Sequence, residues 1–256
     1  MNWSAEQYSK FENERNRPIH DLLANIRTER VATAADLGCG PGNSTELLSR
    51  RFPGAVVTGL DNSANMIAAA RKRLPAVQFE LGDIASWQNP GPFDVIFANA
   101  SLQWVPDHAS LLPALLAKLT FGGNLAVQMP DNLDEPAHRL MREIAASGPW
   151  ADKLAAACDA RAPRRRIEWY FRELRGAGAD VDIWRTTYHH LLAGGAAAVV
   201  EWFKGTGLRP FIDPLGDDER EEFIARYQAA VATAYPALPD GSVLLPFPRL
   251  FFVAVR

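Results

Sequence analysis

The chain has 256 residues with 27 lysines and arginines against 30 acids, a formal charge of −3, 48% hydrophobic and 22% charged residues. That is the composition of a globular chain, not a disordered one. It is long enough to bury roughly 70–75% of its unfolded surface without staples, and its two cysteines, Cys39 and Cys158, exclude a disulfide framework and a Cys-rich zinc site. The acidic balance argues against a general nucleic-acid binder, the polar start MNWSAEQYSKFENERNRP holds no signal core, and the longest apolar stretch, 191–200, is about half of the roughly 20 residues a bilayer crossing needs. A cytoplasmic protein without a membrane segment is expected, one domain over 1–256.

Residues 1–30 read as a polar helical lead-in, with Ile19, Leu22, Leu23 and Ile26 at helical spacing along one buried face. From residue 33 strands and helices alternate. The predicted strands are Thr33–Leu37, Ala55–Leu60, Val77–Leu81, Phe93–Ala98 and Asn124–Gln128; the predicted helices between them are Asn43–Arg51, Ala64–Leu74 and Ala109–Leu119. Proline and glycine mark the junctions at 53–54, 75, 91–92 and 122–123. Such alternation predicts an α/β fold: a doubly wound, mainly parallel, seven-stranded sheet of Rossmann-like type. Two late strands, Val181–His190 and Arg249–Val255, complete it. Between them lies the 57-residue segment 191–247, too long for a hairpin loop. Helical patterns at Ala196–Lys204 and Asp217–Ala234, with Asp217 as candidate N-cap, make this a helical cap inserted into the domain. Residues 30–130 form the cofactor half.

The strongest signal is Asp36-Leu37-Gly38-Cys39-Gly40-Pro41-Gly42-Asn43, which follows the first strand and opens the first of the alternating helices. Glycines at 38, 40 and 42 allow tight turning and close backbone approach to a ligand. The dinucleotide fingerprint G-x-G-x-x-G would need glycine at 43, where Asn43 stands, so a dehydrogenase is disfavoured. Asp61, with Asn62 beside it, ends the second strand 19 residues after Gly42, where a carboxylate can accept both hydroxyls of a ribose. Asp83 ends the third strand, followed by Ile84. Each acid also has a plainer reading: Asp61 as cap of the next helix, Asp83 as a turn residue. Cys39 reads as a small packing residue.

These residues resemble the class I S-adenosylmethionine-dependent methyltransferases over about residues 30–130. The resemblance implies S-adenosyl-L-methionine as cofactor, with Asp36 or its neighbouring backbone on the methionine part, Asp61 on the ribose, and Asp83 with Ile84 around the adenine. After the fourth strand comes FANASLQWVPDH, where Asn99 and Ala100 would lie near the sulfonium and Trp104 would wall off water or anchor the next helix. With AVQMPDN, VDIWRTTYHH, TGLRPF and FPRLFFVAVR, this segment is similar to the trans-aconitate methyltransferases over nearly the whole chain. That likeness implies methylation of a carboxylate of a small polycarboxylic acid. Carrier-protein or other small-molecule O-methyltransferases, and a non-catalytic cofactor-binding protein, stay open as alternatives.

A carboxylate is already ionised at neutral pH, so no catalytic base is expected and no metal is called for. None of the five histidines shows metal-ligand spacing. An acceptor with several carboxylates needs cations, and arginine forks suit carboxylates. Residues 161–175, RAPRRRIEWYFRELR, carry six arginines and two glutamates, and read either as a substrate cradle, with Arg164, Arg165 and Arg166 as its members, or as a solvated helix face. Arg209 and Arg15 are further candidates. Tyr8 is a candidate lid residue over the sulfonium, by analogy with the family.

Overall fold

The computed structural model describes the backbone of residues 12–159 and 165–256, and the side chains of 16–158 and 165–256. Seven strands form one sheet in the order β3-β2-β1-β4-β5-β7-β6. They are β1 (Thr33–Leu37), β2 (Val56–Asp61), β3 (Gln78–Leu81), β4 (Phe93–Asn99), β5 (Leu119–Pro130), β6 (Asp180–Leu192) and β7 (Val243–Val255). β1 through β5 pair in parallel. The Gly122 amide, near the start of β5, donates to the Arg256 carbonyl just past the end of β7 at 2.8 Å, so β7 runs against β5. The chain winds outward from β1 through β2 to β3, then resumes at β4 on the other side of β1. That reversal puts a crevice at the carboxyl ends of β1 and β4.

The chain divides into two compact units. The first comprises 1–130, 164–186 and 250–256; the second comprises 131–163 and 187–249. The second unit therefore draws residues 131–163 in beside the segment between the two last strands.

In the first unit, α1 (Glu12–Ala24), α2 (Asn43–Arg51), α3 (Ala64–Arg73), α4 (His108–Ala117) and α7 (Ile167–Gly176) accompany the strands. β4 reads as an almost unbroken apolar run because it is covered on both faces: Val95, Ile96, Phe97 and Ala98 are fully buried. One apolar core joins Leu37 and Ile96 to the α4 leucines 111, 112, 115 and 116, and to Tyr170, Leu174 and Phe252. The lead-in helix packs on α2 and β5 through its expected face, with Ile19 and Leu22 fully buried. Asp94 clamps strand starts together: one oxygen accepts from the Ala32 and Thr33 amides at 2.7 and 3.1 Å, the other from the Thr120 hydroxyl at 3.0 Å.

In the second unit, α5 (Pro136–Ser147), α6 (Ala151–Asp159), α8 (Gly195–Lys204), α9 (Arg209–Ile212) and α10 (Asp217–Ala234) pack together. Trp150 meets Phe223 at 5.3 Å, and the Tyr227 hydroxyl donates to the Ala137 carbonyl. The cap of α10 corrects one expectation. Gly216, not Asp217, is the N-cap, and its amide donates to the Glu219 carboxylate at 3.1 Å. Asp217 is the first helical residue, where its charge still favours the positive end of the helix. Among the described residues no helix is long and apolar enough to cross a membrane.

Candidate functional site

A cleft of about 370 Å³ opens in the first unit at the carboxyl ends of the parallel strands. Its floor is the turn between β1 and α2. Gly38, Gly40 and Gly42 have φ of +76°, +54° and +91° in that turn, a region in which side chains are strained, and of the three Gly42 does not line the cleft. The Gly38 and Cys39 amides both donate to the Leu60 carbonyl, at 2.7 and 3.0 Å, which folds the turn back over β2. The turn leads into α2, where the Asn43 side-chain Nδ2 donates to Asn16 Oδ1 at 2.9 Å on the lead-in helix. The residue that breaks the dinucleotide pattern thus has a structural task of its own.

Asp61 stands at the end of β2 in the cleft wall. One of its oxygens accepts from the Gly40 amide at 2.9 Å and the other from the Ser63 amide at 2.8 Å. A carboxylate has about four acceptor sites, so two bonds leave capacity for a vicinal diol. Burial pushes its pKa up, against the pull of the Ser63 and Gly40 amides. The helix-cap role belongs to Ser63, whose hydroxyl accepts from the Met66 amide. Asp83 caps the short 3-10 turn Ile84–Ser86 by accepting from the Ala85 amide at 2.9 Å, and it lines the cleft beside Ile84.

Asp36 does not line the cleft. It is fully buried, and one carboxylate oxygen accepts from the Ser44 and Thr45 hydroxyls at 2.7 and 2.6 Å, pinning the first turn of α2 to β1. Its second oxygen is buried with no hydrogen-bond partner among the described residues. Burial raises its pKa to about 6, opposed by the Thr45 and Ser44 hydrogen bonds and helped by the charge of Asp61.

The opposite wall follows β4. Ala100 lines it at φ +53°, an unusual conformation for a residue with a side chain, while its amide donates to the Gln128 carbonyl at 2.9 Å. The Ser101 hydroxyl donates to the Leu37 carbonyl at 2.6 Å, tying this wall to β1. Trp104 lines the cleft and is 39% exposed, so it is not a core anchor. Asn99, at the end of β4, is not in the lining.

The cleft thus gathers Gly38, Gly40, Asp61, Asn62, Asp83, Ile84, Ala100 and Trp104 from the residues expected by sequence. It adds Met66 from the first turn of α3, Ser101, and Val105-Pro106. A usable signal existed for each: Met66 follows the ribose acid by little more than a helical turn, and the other three lie in the same loop as Trp104. Among the acceptor-side candidates, Arg165 lies over the Trp169 ring at 5.6 Å, and Arg166, the N-cap of α7, pairs with Glu168 at 3.3 Å in the open. Neither lines the cleft. Arg209 belongs to the second unit, where it pairs with Asp213 at 3.3 Å. Tyr8, Arg164 and the Arg15 side chain lie outside the described residues.

Among the described residues the lining holds two carboxylates, Asp61 and Asp83, and no lysine or arginine. Such a cleft suits a ligand that brings positive charge and donates hydroxyl and amine hydrogens. A pyrophosphate would meet two carboxylates with no cation among the described lining residues to balance it. The residues present therefore fit S-adenosylmethionine, a sulfonium with an ammonium, a ribose and an adenine.

Comparison with known proteins agrees. A family model described as a methyltransferase domain matches residues 34–123. Among solved structures, the YcgJ protein of Bacillus subtilis superposes with a TM-score of 0.63 at 12% identity, covering 94% of this chain and 98% of that one. Phosphoethanolamine N-methyltransferase 2 of Haemonchus contortus, in complex with S-adenosyl-L-methionine, gives 0.57 at 16% identity, covering 94% and 52%. At those identities the likeness is one of fold. The sequence relatives are far nearer. A trans-aconitate 2-methyltransferase of Methylobacterium nodulans is 58% identical over 99% of this chain and 98% of its own. One from Rhodopseudomonas palustris is 54% identical over 99% of both, and one from Rhizobium rhizogenes 50% identical over the whole of both. The chain belongs to the trans-aconitate 2-methyltransferase family of S-adenosylmethionine-dependent class I methyltransferases.

Proposed function

We propose that this chain methylates a carboxylate of trans-aconitate, giving a monomethyl ester and S-adenosylhomocysteine. The observation that carries this reading is end-to-end identity of 50–58% with relatives of that name, joined to a cleft whose lining suits the cofactor. When bound, S-adenosylmethionine supplies a methyl carbon on a sulfonium, which a carboxylate oxygen takes as the S–C electron pair leaves to sulfur, so no proton moves.

The chain's own residues then have three tasks. Asp61, with Asn62 beside it, and Asp83, with Ile84, would hold the ribose and adenine. The Gly38–Gly42 turn would receive the methionine part closely, with Asp36 holding that turn in shape. Trp104, Val105 and Pro106 would exclude water beside the reacting carbon, which strengthens alignment and slows hydrolysis. No general base is required, and among the described residues no histidine lines the cleft.

An acceptor bearing several negative charges would find no cation among the described residues of the cleft lining. Its other carboxylates would be gripped by arginines from Arg15, Arg164, Arg165 and Arg166, with Tyr8 over the sulfonium. The attacking carboxylate must be the least tightly paired, because a guanidinium draws charge from the oxygen it holds.

The test offers purified protein and methyl-labelled S-adenosylmethionine to trans-aconitate, cis-aconitate, citrate, isocitrate and a malonyl carrier protein. Base-labile label on trans-aconitate above the rest is the expected result. Label on the carrier protein alone, or on no acid, would overturn the reading.

A further inference from the structure

His108 is buried at the start of α4, and both its ring nitrogens are engaged, one with a residue six positions back and one with a residue 62 positions on. Nε2 lies 2.7 Å from the Leu102 carbonyl, and Nδ1 lies 2.8 Å from the Tyr170 hydroxyl. A carbonyl can only accept, so Nε2 carries the hydrogen and donates it. In the neutral form of the ring, Nδ1 then accepts from the tyrosine hydroxyl.

The two partners are of different kinds. Leu102 opens the 3-10 turn Leu102–Trp104, which delivers Trp104, Val105 and Pro106 to the cleft. Tyr170 sits in the first turn of α7, stacked on Phe252 at 5.9 Å and met edge-on by Trp169 at 5.1 Å. Arg165, just ahead of that helix, lies over the Trp169 ring. One line of contacts therefore runs from the aromatic wall of the cleft through Leu102, His108, Tyr170 and Trp169 to Arg165. Any buried histidine needs partners for both ring nitrogens; what is particular here is that one partner belongs to the turn that lines the cleft and the other to α7.

We infer that His108 is a positioning residue: through its two ring nitrogens it holds the aromatic wall of the cleft in fixed relation to the arginine-bearing start of α7, and so sets where the methyl acceptor lies. What the arginines hold rests on the acid-methylating reading above; the bridge itself does not. A buried hydrogen bond is worth about 1 kcal/mol net, or roughly fivefold in an equilibrium.

The test is Tyr170→Phe, which removes the hydroxyl and keeps the ring, with His108→Gln as a second variant. Amide exchange is followed at Trp104 and Val105, whose N–H groups close the turn on the Ser101 and Leu102 carbonyls. Expected are exchange at these two amides faster by roughly five- to tenfold, unchanged exchange at Gly38 and Cys39, and a KM for trans-aconitate raised by a similar factor. The Kd for S-adenosylmethionine should stay within about twofold. Unchanged exchange in both variants overturns the inference. So does exchange raised equally in the glycine turn, which is general loosening, or faster exchange with an unchanged acceptor KM. If the unaltered protein transfers no methyl to trans-aconitate, the acid reading falls. The exchange pattern then decides alone: selective loosening upholds the bridge and its absence overturns it.

Discussion

Gly38 and Ser101 lie so close across the head of the cleft that a Cβ on Gly38 would stand 2.2 Å from the Ser101 Cβ. No rotamer relieves that contact, since both atoms are fixed to backbone. Gly38 also has φ +76°, so alanine there meets a steric clash and a conformational penalty together. Gly38→Ala is expected to lose about 2–4 kcal/mol of stability and to weaken S-adenosylmethionine binding at least tenfold. In Gly38→Ala/Ser101→Gly the clash disappears but the φ penalty and the lost Ser101–Leu37 bond remain. Recovery should therefore be partial, and a double-mutant cycle by urea unfolding should show positive coupling. Additive losses would mean that the two residues are not in contact.

Asp36 gives a pH signature. Its folded pKa is about 6 against an ordinary 3.8. Below 3.8 it is protonated in both states and costs nothing. Between the two values the unfolded chain releases the proton while the folded chain retains it, so stability falls as pH rises. The loss levels off above pH 6 at about 3 kcal/mol. Asp36→Asn keeps an acceptor oxygen for Ser44 and Thr45 without the buried charge. For cofactor-free protein, the stability of this variant minus that of the unaltered chain should therefore grow between about pH 4 and pH 6 and then stay constant. A difference independent of pH would show that Asp36 ionises normally.

The glycine loop and its acids were legible because each is marked by local chemistry: strand end, turn, helix start. β1 lies at Thr33–Leu37 as expected, since Gly38 cannot continue the strand once φ turns positive. Other boundaries were hidden by residues that usually break strands. Gly122 and Gly123 read as a junction, yet β5 spans Leu119–Pro130, because Gly122 donates to Arg256 and Gly123 accepts from it. Pro246 and Pro248 hid the first half of β7, although the Pro248 carbonyl still accepts from the Asp131 amide at 2.8 Å. The membership of residues 131–163 in the second unit was not legible at all. It rests on contacts such as Trp150–Phe223 and Ala137–Tyr227, which no local pattern announces. Asp36 was legible as important, but not as a buried clamp on Ser44 and Thr45, since its distance from a ligand depends on how the turn is folded.

Asp61 carries two loads, and substitution should separate them. Its carboxylate shapes the turn through the Gly40 and Ser63 amides, and in the proposed complex it also receives the ribose. Hydrogen bonds to a charged group are worth about 1.5–3 kcal/mol. Asp61→Ala should raise the Kd for S-adenosylmethionine by about 10–100-fold, measured by calorimetry. It should leave the KM for the acceptor nearly unchanged at saturating cofactor. Asp61→Asn retains one acceptor oxygen and should fall between. A variant that bound cofactor normally but lost acceptor affinity would reverse the assignment of this wall.

Arg165 tests the acceptor side. Its guanidinium lies over the Trp169 ring, so its direction is set by an aromatic face as well as by charge. It is exposed at the start of α7, and removing it should cost little stability. If it grips a carboxylate that does not react, Arg165→Ala should raise the KM for trans-aconitate about five- to tenfold while kcat holds, because the lost contact is made equally in the ground and transition states. Arg165→Lys should recover only part of this, since an ammonium keeps the charge but not the planar fork or the stacking. Steady-state kinetics with saturating cofactor decides it. A fall in kcat with unchanged acceptor KM would mean that Arg165 acts on the reacting carboxylate or on the cleft wall, and simple gripping by this residue would be wrong.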